Sequence, residues 1–224
     1  MANIIVTGAA GALGRAVCNE LHRQGDQIIG IDLGTPPPKT PFRLLGGVDL
    51  SSPDDIAQAF NAIKRDTGTI EGLVNVAGGF TWEEIANNSV SSWDDMFRIN
   101  LRTALLACQN AIPLMQDGAA IVNVGAAAVV ARVGVGMAPY AASKAGVMAL
   151  TESLAEELRP RRIRVNAILP TILDTEANRL RMADPDKAEL VSPFDAARVI
   201  RFLLSAESQA ITGEGIRLSL AAPP

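Results

Sequence analysis

The chain has 224 residues, enough for one α/β domain with a full hydrophobic core. It is 48% hydrophobic and 20% charged with a net charge of −4, a balance that fits a globular protein and gives nucleic acid no basic footprint. One histidine, His22, and two scattered cysteines, Cys18 and Cys108, supply neither a metal set nor a disulfide framework, and they suggest a reducing cytoplasm.

The first apolar run, Ile4–Val6, lacks the basic start and long apolar stretch of a signal peptide. Further strands are predicted at Gln27–Ile31, Arg43–Val48, Gly72–Val76, Ala120–Val124, Arg164–Ile168 and Gly215–Leu220. Helical patterns lie between them near Leu13–Gln24, Pro53–Arg65, Ser91–Met115, Tyr140–Leu158 and Pro193–Ser205, with Ser52 and Ser92 as start signals. The stretch Ala119 to Ala138 is broken by Asn123, Arg132 and glycines, so it reads as a buried strand plus a loop rather than a membrane span. Thr35 to Pro41 is a stiff proline connector. Mostly continuous apolar strands alternating with helices predict one Rossmann-type, doubly wound parallel sheet of about seven strands over residues 1–224.

Chemistry begins at the first strand–turn–helix. Thr7-Gly8-Ala9-Ala10-Gly11-Ala12-Leu13-Gly14 combines a glycine-rich turn with a helix N-terminus, an arrangement that receives a pyrophosphate. Asp32 ends the second strand, where a carboxylate accepts ribose hydroxyls and repels a 2′-phosphate. No basic residue lies between Ala9 and Leu13, so NAD(H) is expected over NADP(H). Asp49, after the third strand, fits either a polar contact to adenine or a cap for the next helix. Tyr140 and Lys144 stand at i and i+4 on one helix face. A lysine ammonium there is expected to lower the phenol's pKa and make Tyr140 an acid/base.

With Asn75-Val76-Ala77-Gly78, Asp49-Leu50, Asn100, Pro170, Thr175 and Thr212-Gly213 in the same order, the chain resembles the short-chain dehydrogenase/reductase family. The resemblance implies that Tyr140 is the acid/base and that Lys144 binds the nicotinamide ribose. It also implies that Asn100 holds a proton-relay water, that Asn75, Ala77 and Gly78 line the adenosine side, and that Pro170, Leu173 and Thr175 lie beside the nicotinamide. In that family the long helices form dimers, so Leu101, Leu105, Leu106, Val147, Met148 and Leu150 suggest a homodimer or homotetramer.

Four departures stand out. The family's serine about thirteen residues before the tyrosine is Ala127 here, or Ala126 with a slipped loop. The middle glycine of the turn sits at Gly11 and Ala12 takes its usual place. Thr171 follows Pro170 where glycine is usual. The span 171–192 leaves room for only a short lid.

Dihydropteridine reductases within the family share Gly11 to Gly14, Val76 to Gly79, the alanine, and the pattern Leu173-Asp174-Thr175 through Asn178-Arg179. The resemblance points to hydride transfer to an activated C=N or C=O substrate such as a quinonoid dihydropterin. Trp82 is read either as a stacking surface or as a loop anchor. A 3-oxoacyl or carbonyl reductase lacking the serine, or a silent NAD-binding sensor or scaffold, are the alternatives. Arg159, Arg161, Arg162 and Arg164 are expected on the edge opposite the site rather than as an acyl-carrier docking patch.

Overall fold

The computed structural model describes residues 1–35, 39–130, 134–182 and 190–219. Its strands are β1 (Asn3–Thr7), β2 (Gln27–Ile31), β3 (Arg43–Leu45), β4 (Ile70–Asn75), β5 (Met115–Val124), β6 (Arg164–Pro170) and β7 (Gly215–Leu218). They form one sheet in the order β3-β2-β1-β4-β5-β6-β7, and every pairing is parallel. Helices are α1 (Ala12–Arg23), α2 (Pro53–Thr67), α3 (Val90–Met96), α4 (Thr103–Ala111), α5 (Ala138–Glu157), α6 (Glu176–Arg179) and α7 (Pro193–Leu204).

The apolar strands are buried on both faces because helices cover each. Ile56, Phe60 and Ile63 of α2, Ala107 of α4 and Leu154 of α5 pack on one face with Ile5, Leu73 and Ile121. Leu13, Val17 and Leu21 of α1 and Ile200 and Leu203 of α7 pack on the other with Val6, Val74 and Val122. Ser52 accepts a hydrogen bond from the Asp55 N–H and Ser192 accepts one from the Phe194 N–H, capping α2 and α7 where the proline after each serine starts the helix. Burial raises both thiols, Cys18 and Cys108, to about 12, which leaves them unreactive.

The long helix expected over Ser91–Met115 is divided. It starts on Ser89, whose side chain caps the Ser92 N–H. A π-helical turn, Phe97–Arg102, separates α3 from α4, and a 3₁₀ turn closes at Leu114. Pro113 cannot continue the helical ladder, and Met115 already belongs to β5, which is longer than expected. β3 stops at Leu45, short of Val48, where Gly46 and then Gly47 (φ +72°) turn the chain. Pro36 to Pro38 of the connector, Arg132, residues 183–189 of the expected lid and Leu220 lie outside the described residues.

The apolar surplus on α4 and α5 is smaller than the sequence implies. Val147 is buried in the chain's own core, Leu106 and Leu150 pack against that core, and Leu101 lies on Gly146. Leu105 stays 37% exposed.

Candidate active site

The β-order reverses between β1 and β4, and a cleft of ≈ 820 Å³ opens at the C-terminal strand ends there. It is lined by the segments after β1, β2, β3, β4 and β6. Of the residues singled out from sequence, Gly8, Gly11, Ala12, Leu13, Gly14, Asp32, Asp49, Leu50, Ala77, Gly78, Leu173 and Thr175 line it.

The turn after β1 is set by close approach. Gly8 has φ +65°, and a Cβ on it would stand 2.7 Å from the Ala77 nitrogen. A Cβ on Gly14 would stand 2.0 Å from the Gly8 oxygen, so α1 can run this close to the turn only with glycine there. Gly11 is different: its φ is −72° and a Cβ would meet only the Gly8 oxygen, at 3.3 Å. No side chain caps α1 and no acid occupies its first turn. Its free N–H groups and dipole therefore face the cleft open to an anion, as a dinucleotide pyrophosphate requires.

Thr7 and Asn75 act from beneath. The Thr7 Oγ1 accepts from the Val76 and Ala77 N–H groups at 3.1 and 3.3 Å and fixes the gap between β1 and β4. Asn75 is buried; its Nδ2 donates to Asn123 Oδ1 at 2.9 Å, and Asn123 Nδ2 donates to Thr151 Oγ1 at 2.9 Å. This buried chain joins β4, β5 and α5. Nothing in the sequence pattern distinguished Asn123 or Thr151 from ordinary strand and helix residues.

Asp32 accepts the Ala10 N–H at 2.9 Å and the Gly34 N–H at 2.8 Å, one on each oxygen, which holds its carboxylate at the cleft. Of the two Asp49 readings, the helix cap falls to another residue, and the carboxylate closes a local turn at the cleft. Its Oδ1 accepts both the N–H and the hydroxyl of Ser51, at 2.8 and 2.7 Å, while Ser52 caps α2. Those Ser51 bonds hold the Asp49 carboxyl below its ordinary range, with Arg98 and Arg102 assisting.

On α5, Lys144 is buried and donates to the Val124 carbonyl at 2.7 Å. Burial lowers its ammonium to about 8. The same effect raises the Tyr140 phenol to about 12. This corrects the sequence expectation for the pair: desolvation of the phenol outweighs any help from the ammonium, which is turned to Val124. Gly78 sits over both helices, since a Cβ there would be 2.5 Å from Asn100 Oδ1 and 3.4 Å from Lys144 Nζ.

Asn100 lies in the π-helical turn, and its amide is engaged by protein. Oδ1 accepts the Gly79 N–H at 2.9 Å, and Nδ2 donates to the Gly79 carbonyl at 3.1 Å and to Ser143 Oγ at 3.0 Å. Ser143 in turn donates to the Tyr140 carbonyl at 2.7 Å. Asn100 therefore ties the end of β4 to the first turn of α5. Phe80 meets Tyr140 edge-on with ring centroids 4.9 Å apart, a contact that sequence reasoning missed because only the fold brings the two together. Ala126 and Ala127 are both buried and carry no polar side-chain atom.

A family model described as enoyl-(acyl carrier protein) reductase matches residues 8–218. The chain belongs to the short-chain dehydrogenase/reductase family. It is 35% identical over 239 residues to an uncharacterised short-chain dehydrogenase/reductase of Sinorhizobium fredii, covering 94% of this chain but 41% of that protein. It is 30% identical to the 3-oxoacyl-[acyl-carrier-protein] reductase of Thermotoga maritima, covering 95% and 94%. The ligand-free aldohexose dehydrogenase of Thermoplasma acidophilum superposes with a TM-score of 0.88 at 25% identity, covering 100% of this chain and 97% of that one. Short-chain dehydrogenases/reductases bind NAD(P), and the open α1 terminus and glycine turn fit that cofactor.

The pattern from Leu173 to Arg179 has a local structural reason in this short-chain dehydrogenase/reductase. Thr175 caps α6, Asn178 Nδ2 donates to the Leu173 carbonyl at 2.8 Å, and Arg179 pairs with Asp174. The motif thus closes on itself and presents Leu173 and Thr175 to the cleft. Pro170, expected beside the nicotinamide, is buried at the end of β6 and is not among the residues lining the cleft. Arg161 and Arg164 are spent on carbonyls near the starts of β5 and β6, including Met115 and Leu203, at the end of the sheet away from the cleft. Among the described residues, no helix is long and apolar enough to cross a membrane, and no cluster of His, Cys, Asp or Glu could hold a metal.

Proposed function

We propose that the chain is an NAD(H)-dependent oxidoreductase that reduces an activated, conjugated C=N or C=O substrate, with a quinonoid dihydropterin as the best candidate. The carrying observation is a lone hydroxyl. Tyr140 is the only tyrosine in the chain, and the two positions that would hold the family's serine are buried alanines. The bound cofactor would supply the hydride. Tyr140 would donate the proton to the substrate nitrogen or oxygen, and Lys144, with Gly78 beside it, would hold the nicotinamide ribose. Asn100 and Ser143 keep the first turn of α5 aligned with the end of β4.

A phenol held protonated by burial is a donor, which suits the reductive direction. A carbonyl with one donor instead of two loses roughly 3–4 kcal/mol of transition-state stabilisation by analogy with oxyanion-hole deletions. An activated acceptor tolerates that loss and a plain ketone does not. Asp32 at the cleft supports NADH over NADPH. A second reading, 3-oxoacyl reduction, is favoured by the Thermotoga maritima relative; the site's missing serine argues against it. Leu105 on α4 and Phe97 in the π-helical turn, both partly exposed, support a homodimer or homotetramer.

The test follows cofactor oxidation by absorbance with a quinonoid dihydropterin beside a panel of ketones and a 3-oxoacyl thioester. Rapid pterin turnover with slow ketones supports the proposal. Preferential turnover of the thioester would replace it with the second reading.

A further inference from the structure

We propose that Phe80 is a positioning residue: its ring, set nearly perpendicular to that of Tyr140, holds the phenol in the one rotamer from which it delivers a proton to the substrate. The inference rests on the reading of Tyr140 as the proton donor of an oxidoreductase site and names the residue that aims it.

Little else holds the phenol. Among the described residues, a side chain hydrogen-bonds the Tyr140 backbone carbonyl and none hydrogen-bonds its hydroxyl. Lys144, one turn along α5, directs its amine to the Val124 carbonyl at 2.7 Å. The buried alanines at 126 and 127 bring no hydroxyl. What the ring does meet is Phe80, with centroids 4.9 Å apart and planes at 80°. In such an edge-to-face pair the positive rim of one ring lies on the negative face of the other. The attraction depends on orientation, so it favours one direction of the phenol, where a plain apolar neighbour would only fill space.

One amide registers the two rings from both ends. Asn100 Oδ1 accepts the Gly79 N–H at 2.9 Å, and its Nδ2 donates to the Gly79 carbonyl at 3.1 Å, so the peptide units on either side of Gly79 are held and Phe80 follows directly. Gly79 also lies tight on its neighbour, since a Cβ there would stand 2.7 Å from Ile99 Cδ1. The same Nδ2 donates to Ser143 Oγ at 3.0 Å, and Ser143 donates to the Tyr140 carbonyl at 2.7 Å. The backbones that carry the two rings are thus fixed against each other, and the side-chain torsions are left to the ring contact. The phenol oxygen stands far out from its Cα, so a change of χ1 well carries it several ångströms. Proton transfer needs roughly 2.6–3.2 Å between heavy atoms, so only one well serves.

The experiment compares the full chain as wild type, Phe80→Leu and Phe80→Trp. Tyr140 is the only tyrosine, so selective tyrosine labelling gives an NMR spectrum of that side chain alone. The Hα–Hβ couplings should report one χ1 rotamer in the wild type and in Phe80→Trp, and averaged rotamers in Phe80→Leu. With the acceptor that the wild type turns over fastest, Phe80→Leu should lower kcat by about 10–10²-fold while substrate KM and the cofactor dissociation constant change by less than about twofold. Phe80→Trp, still aromatic, should keep at least about a third of the wild-type kcat. A single rotamer in Phe80→Leu would overturn the proposal, as would averaged rotamers with kcat unchanged, or equal losses in the leucine and tryptophan variants. Phe80 is half-buried, and Phe80→Met takes the place of Phe80→Leu if a melting curve shows the leucine variant unfolding early. The redox reading fails separately, by the absence of cofactor oxidation with every acceptor, whereas the couplings need no turnover and still show whether Phe80 fixes the ring.

Discussion

The two halves of the site are built on opposite plans. The cofactor half is made by backbone: glycines at 8 and 14 forced by close approach, an uncapped α1 terminus, and Asp32 held by two N–H groups. The half proposed to take the substrate is made by side chains with little polarity: Phe80 on Tyr140, Trp82 on Gly136, and alanines at 126 and 127. A backbone-made half constrains the sequence strongly and serves any member of the family. A side-chain-made half carries what is particular to this chain. The difference teaches where specificity lies, and each half can be disturbed without the other.

The largest separation should come from Tyr140→Phe. It removes the proposed proton donor while keeping the ring against Phe80. Turnover should fall by roughly 10²–10⁴-fold, the usual weight of general acid catalysis. Cofactor affinity, read by nucleotide fluorescence, should hold. A variant that loses both would show that the halves are not independent.

Ala127→Ser works in the other direction. A restored hydroxyl should raise kcat/KM for a simple ketone by about 10–10²-fold, somewhat less than an oxyanion donor is worth because Ala127 is buried and tightly seated. A dihydropterin should gain far less. Equal gains for both acceptors would break the link between the missing serine and an activated substrate.

How much of this was legible beforehand follows the same division. The order of strands and helices, Gly8, Gly14 and Asp32 could be read because a turn, a helix start and a strand end each have a local signature. Thr7 and Asn75 were legible as important, yet their work beneath the cleft was not, since it depends on β1 lying beside β4. The π-helical turn at Asn100 was hidden in a plausible helical pattern. The direction of the Tyr140 shift was misjudged, because spacing reports which groups are near and says nothing of how dry they are. Asn123, Thr151, Phe80 and the latch between Glu83 and Gly136 depend on long-range packing with no periodic trace.

Lys144 lets stability report on the cofactor half. Its folded pKa of about 8 lies below the ordinary 10.5, so the fold favours the neutral amine. Below about 8 the ammonium is charged in both states and its burial works against folding; that cost is relieved as pH rises from about 8 to 10.5. Lys144→Met should therefore be inactive yet more stable than wild type at pH 7, by about 2 kcal/mol once the lost bond to Val124 is allowed for. Denaturant titration at pH 7 and pH 10 checks it. The gain should shrink at the higher pH, and a gain that stayed constant would mean the buried charge is not its source.

The smallest expected effect tests the cofactor half at its polar end. Asp32 keeps a carboxylate at the cleft by accepting the Ala10 and Gly34 N–H groups, and Arg15 lines the same cleft a turn into α1. A 2′-phosphate entering there would face the carboxylate charge first. Asp32→Asn keeps the shape and one acceptor oxygen but removes that charge. The ratio of NADPH to NADH dissociation constants should then fall by about tenfold, roughly 1.4 kcal/mol. Tyr140-dependent chemistry on the substrate side should be untouched once each cofactor is saturating. A ratio already favouring NADPH in the wild type would show that Arg15 outweighs Asp32. The backbone-made half would then fix where the dinucleotide lies, and exposed side chains at its rim would choose between the two cofactors.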